Sequence, residues 1–164
     1  DLATTAQRLR TLVPTVYCYN VPADLKTVRA RARLKGDASI SFFSYALGTA
    51  LDLKPIVLCH GGRTGAVERI RGFERGVARV VDAAKLAMGE GLQVPLISVV
   101  YGGPVAELQQ LAPFRDLEAA CQRYGVQLIT ATMGITGVAN VGPGSLSIAF
   151  TATRPPIGSI DALS

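Results

Sequence analysis

The hydrophobic pattern of this chain switches repeatedly between a period of two residues and a period of three to four, which predicts strands and helices in alternation. The strand-like stretches are short and apolar or rich in β-branched residues: Thr15–Val21, Lys54–His60, Ala66–Arg71, Pro95–Tyr101, Val126–Ala131 and Ser145–Phe150. The helical patterns cover 2–12, Asp24–Leu34, Ser39–Leu51, Phe73–Met88 and, with a break at Pro113, residues 104–124.

Most of the predicted strands are separated by predicted helices, which is typical of βαβ connections and of some parallel pairing. The exception is the pair 54–60 and 66–71, which Gly61–Gly65 joins as a hairpin. We therefore expect an α/β fold with a mixed, partly parallel sheet flanked by helices. In the second hairpin strand, the two-residue period places Arg69 and Arg71 on one face.

The composition fits one folded domain and narrows the range of partners. Of the 164 residues, 49% are hydrophobic and 18% are charged, with a formal net charge of +5. The excess positive charge lies in two clusters, Arg29–Lys35 and Arg63–Arg79, which suit an anionic ligand or an acidic protein surface. Few aromatic residues stand between the basic ones, so we do not expect a nucleic-acid partner.

The cysteines and the apolar runs indicate a cytoplasmic protein. Cys18, Cys59 and Cys121 lie in apolar stretches and lack the close spacing of a metal site or a disulfide framework. Such thiols are typical of buried positions in a reducing compartment. No apolar run approaches the ~18 residues of a membrane span, so we expect none.

The sequence offers no convincing catalytic constellation. His60 is the only histidine, and its neighbour Cys59 points to the other face of the same strand. The carboxylates are scattered over predicted helix faces and turns, and the glycine-rich stretch 61–66 precedes a strand instead of the helix that a phosphate loop requires. We therefore predict no catalytic residue, no metal site and no cofactor.

A stiff bend precedes the last predicted strand, and its role has two readings. Gly142, Pro143 and Gly144 follow two residues after a lone amide, Asn140. Proline fixes one backbone angle, and the glycines permit angles that are closed to other residues. The bend is therefore either a tight turn that begins a strand, or a place where a ligand approaches the backbone and an anion meets open N–H groups.

Two further features also have a structural and a functional reading. Arg69 and Arg71 are either a solvated strand face or a positive patch for an acidic partner or phosphate. The helix over Ser39–Leu51 is either ordinary core or the lining of a pocket for a long apolar ligand. Its large side chains are Phe42, Phe43, Tyr45 and Leu47, and they stand among very small neighbours.

Two stretches, taken with their order and spacing, resemble a known family. Leu47–Val77 contains a helix, a Lys-Pro-Ile strand, a hairpin and an Arg-rich strand end. Gly137–Phe150 contains the Gly-Pro-Gly bend and the strand that follows it. Both resemble the C-terminal domain of DegV-family fatty-acid-binding proteins, and the likeness extends over residues 14–152.

The resemblance implies a protein of two α/β domains that clamp one long-chain fatty acid between them. Residues 1–13 are then a linker helix from an N-terminal domain, residues 14–155 a C-terminal lipid-binding domain, and residues 156–164 a tail that we expect to fray. Some members of the family are the acyl-carrying, non-catalytic subunit of bacterial fatty acid kinase. The implied partners are the fatty acid, the N-terminal domain and a kinase catalytic subunit that forms acyl phosphate for phospholipid synthesis.

The resemblance also implies which residues hold the ligand. Asn140 and the Gly142–Gly144 backbone lie near the fatty-acid carboxylate, and Arg69 and Arg71 face a partner. Phe42, Phe43, Tyr45 and Leu47 line the acyl pocket, and Ser39 is a further ligand-binding residue.

This chain departs from the family pattern at two places. Asn140 replaces the usual histidine, and an amide can donate a hydrogen bond but cannot carry charge. Asp37–Ile40 replaces a Gly-Gly-Arg-Ile turn before the aromatic helix.

A second hypothesis from a different class stays open. The chain would then be a basic α/β interaction or regulatory module that binds a protein or a polyanion, and its apolar helix would be ordinary core. Salt-dependent binding of polyanions without any recovered lipid would favour this hypothesis.

Overall fold

A computed structural model describes residues 1–27, 30 and 52–160. Helix α1 (Leu2–Leu12) and a 3₁₀ turn (Val13–Thr15) lead into β1 (Val16–Val21). The later elements are β2 (Leu53–His60), β3 (Arg63–Arg71), α2 (Phe73–Glu90), β4 (Leu96–Tyr101), a 3₁₀ helix (Val105–Gln110), α3 (Ala112–Tyr124), β5 (Gln127–Thr132), α4 (Ile135–Val141) and β6 (Leu146–Thr151). The predicted helix Ser39–Leu51 lies outside the described residues, and so does most of 24–34.

The strands form one mixed sheet in the order β3-β2-β1-β6-β4-β5. The β4–β5 pair is parallel, and the other four adjacent pairs within the described residues are antiparallel. This confirms the α/β fold and the mixed, partly parallel sheet. Antiparallel pairs outnumber the parallel pair because the hairpin β2–β3 forms one edge of the sheet and the antiparallel strands β1 and β6 form its centre.

One face of the sheet packs against the helices to form the core. Tyr19 and Val21 of β1 are fully buried there, together with every second residue of β6 from Leu146 to Phe150. Helix α2 crosses this face with a buried apolar stripe that includes Val77, Val80 and Ala84. Its Gly76 comes so close to Val21 that a Cβ would lie 2.8 Å from a valine methyl. The absence of a Cβ at Gly76 therefore allows the helix to approach the sheet this closely.

The hairpin turn is shorter than the sequence pattern predicts. Gly61 and Gly62 have φ angles of +56° and +76°, as a two-residue hairpin loop requires, and His60 already pairs with Arg63. The predicted five-residue turn is therefore wrong, because two consecutive glycines with positive φ are sufficient to reverse the chain. Arg69 and Arg71 are both exposed, which fits either reading of this strand face.

The end of the described chain is held more firmly than predicted. The expectation of a frayed tail is wrong at Ile157, which is buried and whose N–H and C=O both hydrogen bond to the Tyr19 hydroxyl at 3.3 and 3.4 Å. The Tyr19 hydroxyl lies in the core and needs a partner there, so the chain after β6 returns to supply one.

Candidate functional site

The Gly-Pro-Gly bend lies at one end of the sheet. The strand register brings Val21 of β1 and Tyr101 of β4 beside Leu146, which begins β6, and β2 begins at the same end with Leu53. The loops at this end therefore converge around the bend. His60 lies at the opposite end of β2, where it pairs with Arg63.

The glycines of the bend are required by close packing within the protein. Gly142 has a φ of +96°, and a Cβ there would lie 3.2 Å from the Thr27 side chain. Gly144 has a φ of +71°, and its Cβ would lie 3.3 Å from that of Ala23. Across the bend, a Cβ on Gly102 would meet the Gly144 nitrogen at 3.0 Å. The tight-turn reading therefore holds for this segment.

The backbone donors of the bend are already in use. Gly142 N–H donates to the Val138 carbonyl at 2.8 Å, and Gly144 N–H donates to the Gly102 carbonyl at 3.0 Å. Pro143 has no N–H to offer. The expectation that these glycines present open N–H groups to an anion is therefore wrong, and a carboxylate at this end of the sheet needs donors from side chains.

A buried hydrogen-bond network fixes the segment after β1 against the bend. Ser145 is fully buried, donates from Oγ to the Val141 carbonyl at 2.8 Å and accepts from the Ala23 N–H at 3.3 Å. Lys54 Nζ donates to the Ala23 carbonyl at 2.7 Å and forms an ion pair with Asp52 at 3.0 Å. Sequence reasoning missed these residues, because nothing in their local pattern indicates contacts with residue 23.

Asn140 belongs to α4, a short helix that the sequence pattern did not predict. Its side chain is half-buried, and Nδ2 donates to the Thr136 carbonyl one turn earlier at 2.8 Å. Since α4 ends at Val141 and Gly142 caps it, Asn140 is held two residues from the bend. The structure thus places Asn140, Gly142, Pro143 and Gly144 together at one end of the sheet.

The sheet face that points away from α2, named here the second face, carries small side chains. The register places Cys18 of β1 opposite Cys59 of β2 and Ala149 of β6, so these three side chains point to the same side. Ala149 is in turn opposite Ser98 of β4. All four residues are half-buried, in contrast to the fully buried core face.

A polar cluster lies within the second face. Ser147 Oγ donates to Asn20 Oδ1, Asn20 Nδ2 donates to Cys59 Sγ at 3.3 Å, and Thr64 Oγ1 approaches the same sulfur at 3.5 Å. Beside this cluster, burial and the neighbouring Cys59 raise the pKa of the Cys18 thiol to about 11. Cys18 is therefore a neutral thiol at neutral pH and behaves as a small apolar surface.

Arg69 and Arg71 lie on β3, an edge strand, and are exposed. Arg71 pairs with Leu53, so this arginine is at the same end of the sheet as the bend. The bend leads into β6, three strands away from β3, and the usual strand spacing puts about 14 Å between them. The arginines therefore border this end of the sheet and are separate from Asn140.

The remaining candidates fall into two groups. His60 stacks on Tyr17 with ring centroids 4.2 Å apart, and its Nδ1 lies 2.8 Å from the Val16 carbonyl oxygen, so its neighbours are those of a structural residue. Cys59 contacts Asn20 on the other face, which confirms that Cys59 and His60 diverge. The other predicted ligand-binding residues lie outside the described part of the chain: Ser39, Phe42, Phe43, Tyr45 and Leu47.

Within residues 1–27, 30 and 52–160, no helix is both long and apolar enough to span a bilayer. The same residues hold no group of three or more His, Cys, Asp or Glu side chains that is arranged to bind a metal ion.

Comparison with known proteins gives consistent matches over most of the chain. Residues 1–153 match the family described as "Uncharacterised protein, DegV family". A DegV domain-containing protein of Xanthomonas campestris is 43% identical over 145 residues, which are 88% of this chain and 46% of that protein. The chain thus spans about half the length of the curated relatives it matches.

Solved structures share the fold at lower sequence identity. DegV of Bacillus subtilis, described as a fatty acid binding protein, has a TM-score of 0.71 and 19% identity, with 93% of this chain and 50% of that chain covered. A protein of Eubacterium ventriosum, described as binding stearic acid, has a TM-score of 0.69 and 18% identity, with 93% and 50% covered.

Proposed function

The chain belongs to the DegV family, and we propose that it is the C-terminal, fatty-acid-binding half of a longer two-domain protein. The family match over residues 1–153 carries this proposal, together with relatives of the same fold whose descriptions name fatty acids as ligands. Those relatives are about twice as long as this chain. In this proposal a preceding domain supplies the rest of the ligand site.

The second face of the sheet is the wall along which the acyl chain lies in this proposal. Its small, half-buried side chains, such as Cys18 and Ala149, offer a smooth and uncharged surface. Each methylene that leaves water contributes about 0.8 kcal/mol, so a long acyl chain gains most of its affinity from such contacts. The predicted residues Phe42, Phe43, Tyr45 and Leu47 would line the remainder of the acyl pocket in this proposal.

The carboxylate of the fatty acid lies at the bend in this proposal. Asn140 supplies a neutral amide, and Ser39 together with residues of the preceding domain supplies hydroxyl groups. The bend itself contributes shape, since Gly142 and Gly144 present almost no side chain and their N–H groups are bonded elsewhere. Because these donors are uncharged, the bound carboxylate keeps its negative charge.

The protein presents the carboxylate to a separate kinase subunit and has no catalytic role of its own in this proposal. On that subunit, a carboxylate oxygen forms a new bond to the γ-phosphorus of ATP, and ADP leaves as the old phosphorus–oxygen bond breaks. The products are acyl phosphate and ADP, and the reaction takes place in the cytoplasm. Arg69 and Arg71 border the carboxylate end of the site, which favours them as contacts for the acidic surface of the kinase subunit.

Charge reversal tests the kinase contact. We expect the double variant Arg69→Glu with Arg71→Glu to bind fatty acid normally but to reduce acyl phosphate formation by the kinase subunit about tenfold, most strongly at low salt. The matched control, Arg8→Glu with Arg10→Glu, changes the same net charge on α1, which lies outside the sheet. Equal activity of both double variants with the kinase subunit would contradict this contact.

Lipid extraction from the purified full-length protein tests the binding function. Recovery of a long-chain fatty acid in a one-to-one ratio supports it. Protein that is consistently free of lipid, but that binds polyanions in a salt-dependent manner, would favour the basic interaction module instead.

A further inference from the structure

Asn20 is an unusual residue for the wall of an acyl site. It lies on the second face, in the middle of the sheet, and is only 8% exposed. Its neighbours on this face are small or apolar, including Cys18 on the same strand and Val57 directly opposite on β2. A buried primary amide costs free energy unless its donors and acceptors are satisfied.

Among the residues that the structure describes, the Asn20 amide has fewer hydrogen-bond partners than it can use. Oδ1 accepts from Ser147 Oγ, and one N–H of Nδ2 is directed at Cys59 Sγ, which is a weak acceptor. In the part of the chain that the structure describes, the second N–H of Nδ2 has no acceptor. Ser147 Oγ also keeps lone pairs that can accept a further hydrogen bond.

From this we propose that Asn20 and Ser147 form a polar subsite for an oxygen atom carried partway along the acyl chain, so that the ligand is a mid-chain hydroxy fatty acid. The inference rests on the proposed function, because it places the acyl chain along the second face. A ligand hydroxyl accepts from the second N–H of Asn20 and donates to Ser147 Oγ. The second N–H of Asn20 and a lone pair of Ser147 Oγ then both have a hydrogen-bond partner.

The position of Asn20 in the register indicates an internal oxygen instead of the carboxyl group. Asn20 pairs with Ser147, which is three residues beyond Gly144 along β6. At about 3.3 Å per residue, the subsite lies about 10 Å from the bend. A carboxylate held at the bend therefore cannot reach Asn20, whereas the middle of a long acyl chain can.

A structural role for Asn20 makes a different prediction. If the amide only fixes the register of β1 against β6 through Ser147, the site does not distinguish stearate from its hydroxylated form. A site that hydrogen bonds a ligand hydroxyl does distinguish them, since the analogue without the hydroxyl leaves buried donors unpaired.

Competition between two matched ligands tests the subsite. The delipidated full-length protein is incubated with equal amounts of stearate and a mid-chain hydroxystearate, and the bound acids are counted by native mass spectrometry. We expect the wild-type protein to prefer the hydroxystearate about tenfold. We expect Asn20→Leu to reverse the preference, because the ligand hydroxyl then meets an apolar side chain.

Gln122→Leu is the control variant, since it makes the same chemical change at an exposed position of α3. It should keep the wild-type preference. The wild-type comparison needs no variant, so the test stands even if Asn20→Leu fails to fold. Binding of stearate without any preference for the hydroxystearate would overturn the subsite and leave the proposed function intact. Binding of neither acid would overturn both.

Discussion

Asn140 is the residue on which the head-group assignment depends. The amide is anchored by its bond to the Thr136 carbonyl, and this fixes its direction at the end of α4. Since the glycine N–H groups of the bend are occupied, a side-chain donor is the remaining kind of contact at this position. In the proposed function, Asn140 therefore matters more for the carboxylate than the Gly-Pro-Gly sequence beside it.

Replacing Asn140 tests this assignment. Asn140→Ala should weaken fatty-acid retention about tenfold, because it removes one hydrogen bond to a charged group. Asn140→Asp should weaken retention further, since its carboxylate repels that of the ligand. Retention is measured by equilibrium competition with a fluorescent fatty acid, and thermal unfolding confirms that each variant is folded.

The exposed Glu74 on α2 provides the control for both variants. Glu74→Ala should leave fatty-acid retention unchanged. If Asn140→Ala and Glu74→Ala have equal effects on retention, Asn140 does not contact the carboxylate.

At the scale of elements, the packing of α2 on the core face of the sheet depends on a close approach at one glycine. Gly76 faces Val21 and Ile70, where a Cβ would lie 2.8 and 3.3 Å from their methyl groups. Gly89, near the end of the same helix, has only the Tyr124 hydroxyl at 3.7 Å. Close packing therefore requires a glycine at position 76, whereas position 89 has room for a side chain.

These glycines predict opposite effects of the same substitution. Gly76→Ala should lower the free energy of unfolding by about 1 kcal/mol or more, because overpacking outweighs the gain in helix propensity. Gly89→Ala should raise it by about 0.5 kcal/mol, since the new methyl group meets only ordinary contacts. Urea denaturation measures both values, and a stabilising Gly76→Ala would contradict the packing described here.

The strands were predictable because they depend on short-range pattern. The alternation of Leu146, Ile148 and Phe150 predicts the buried face of β6, and all three are buried. Helix α4 was missed since Ile135, Thr136 and Val138 are β-branched and favour strands. Its formation depends on tertiary context, including the cap at Gly142, which no local pattern reveals.

At the scale of the whole molecule, the site is assembled from segments distant in sequence. The bend near residue 143 is bonded to Gly102, the segment at Ala23 is held by Lys54, and Asn20 meets both Cys59 and Ser147. Sequence alone indicated the bend and Asn140 through a family resemblance, but it could not indicate that the glycine N–H groups are occupied. Such pairings follow only from the strand order.

The central claim is that the full-length protein holds one long-chain fatty acid, and native mass spectrometry tests it most directly. The folded protein, purified without added lipid, should carry an extra mass that is released on collisional activation and that equals one long-chain fatty acid. Delipidated protein should regain the same mass when the acid is added. A folded protein that shows no added mass in either experiment would contradict the account.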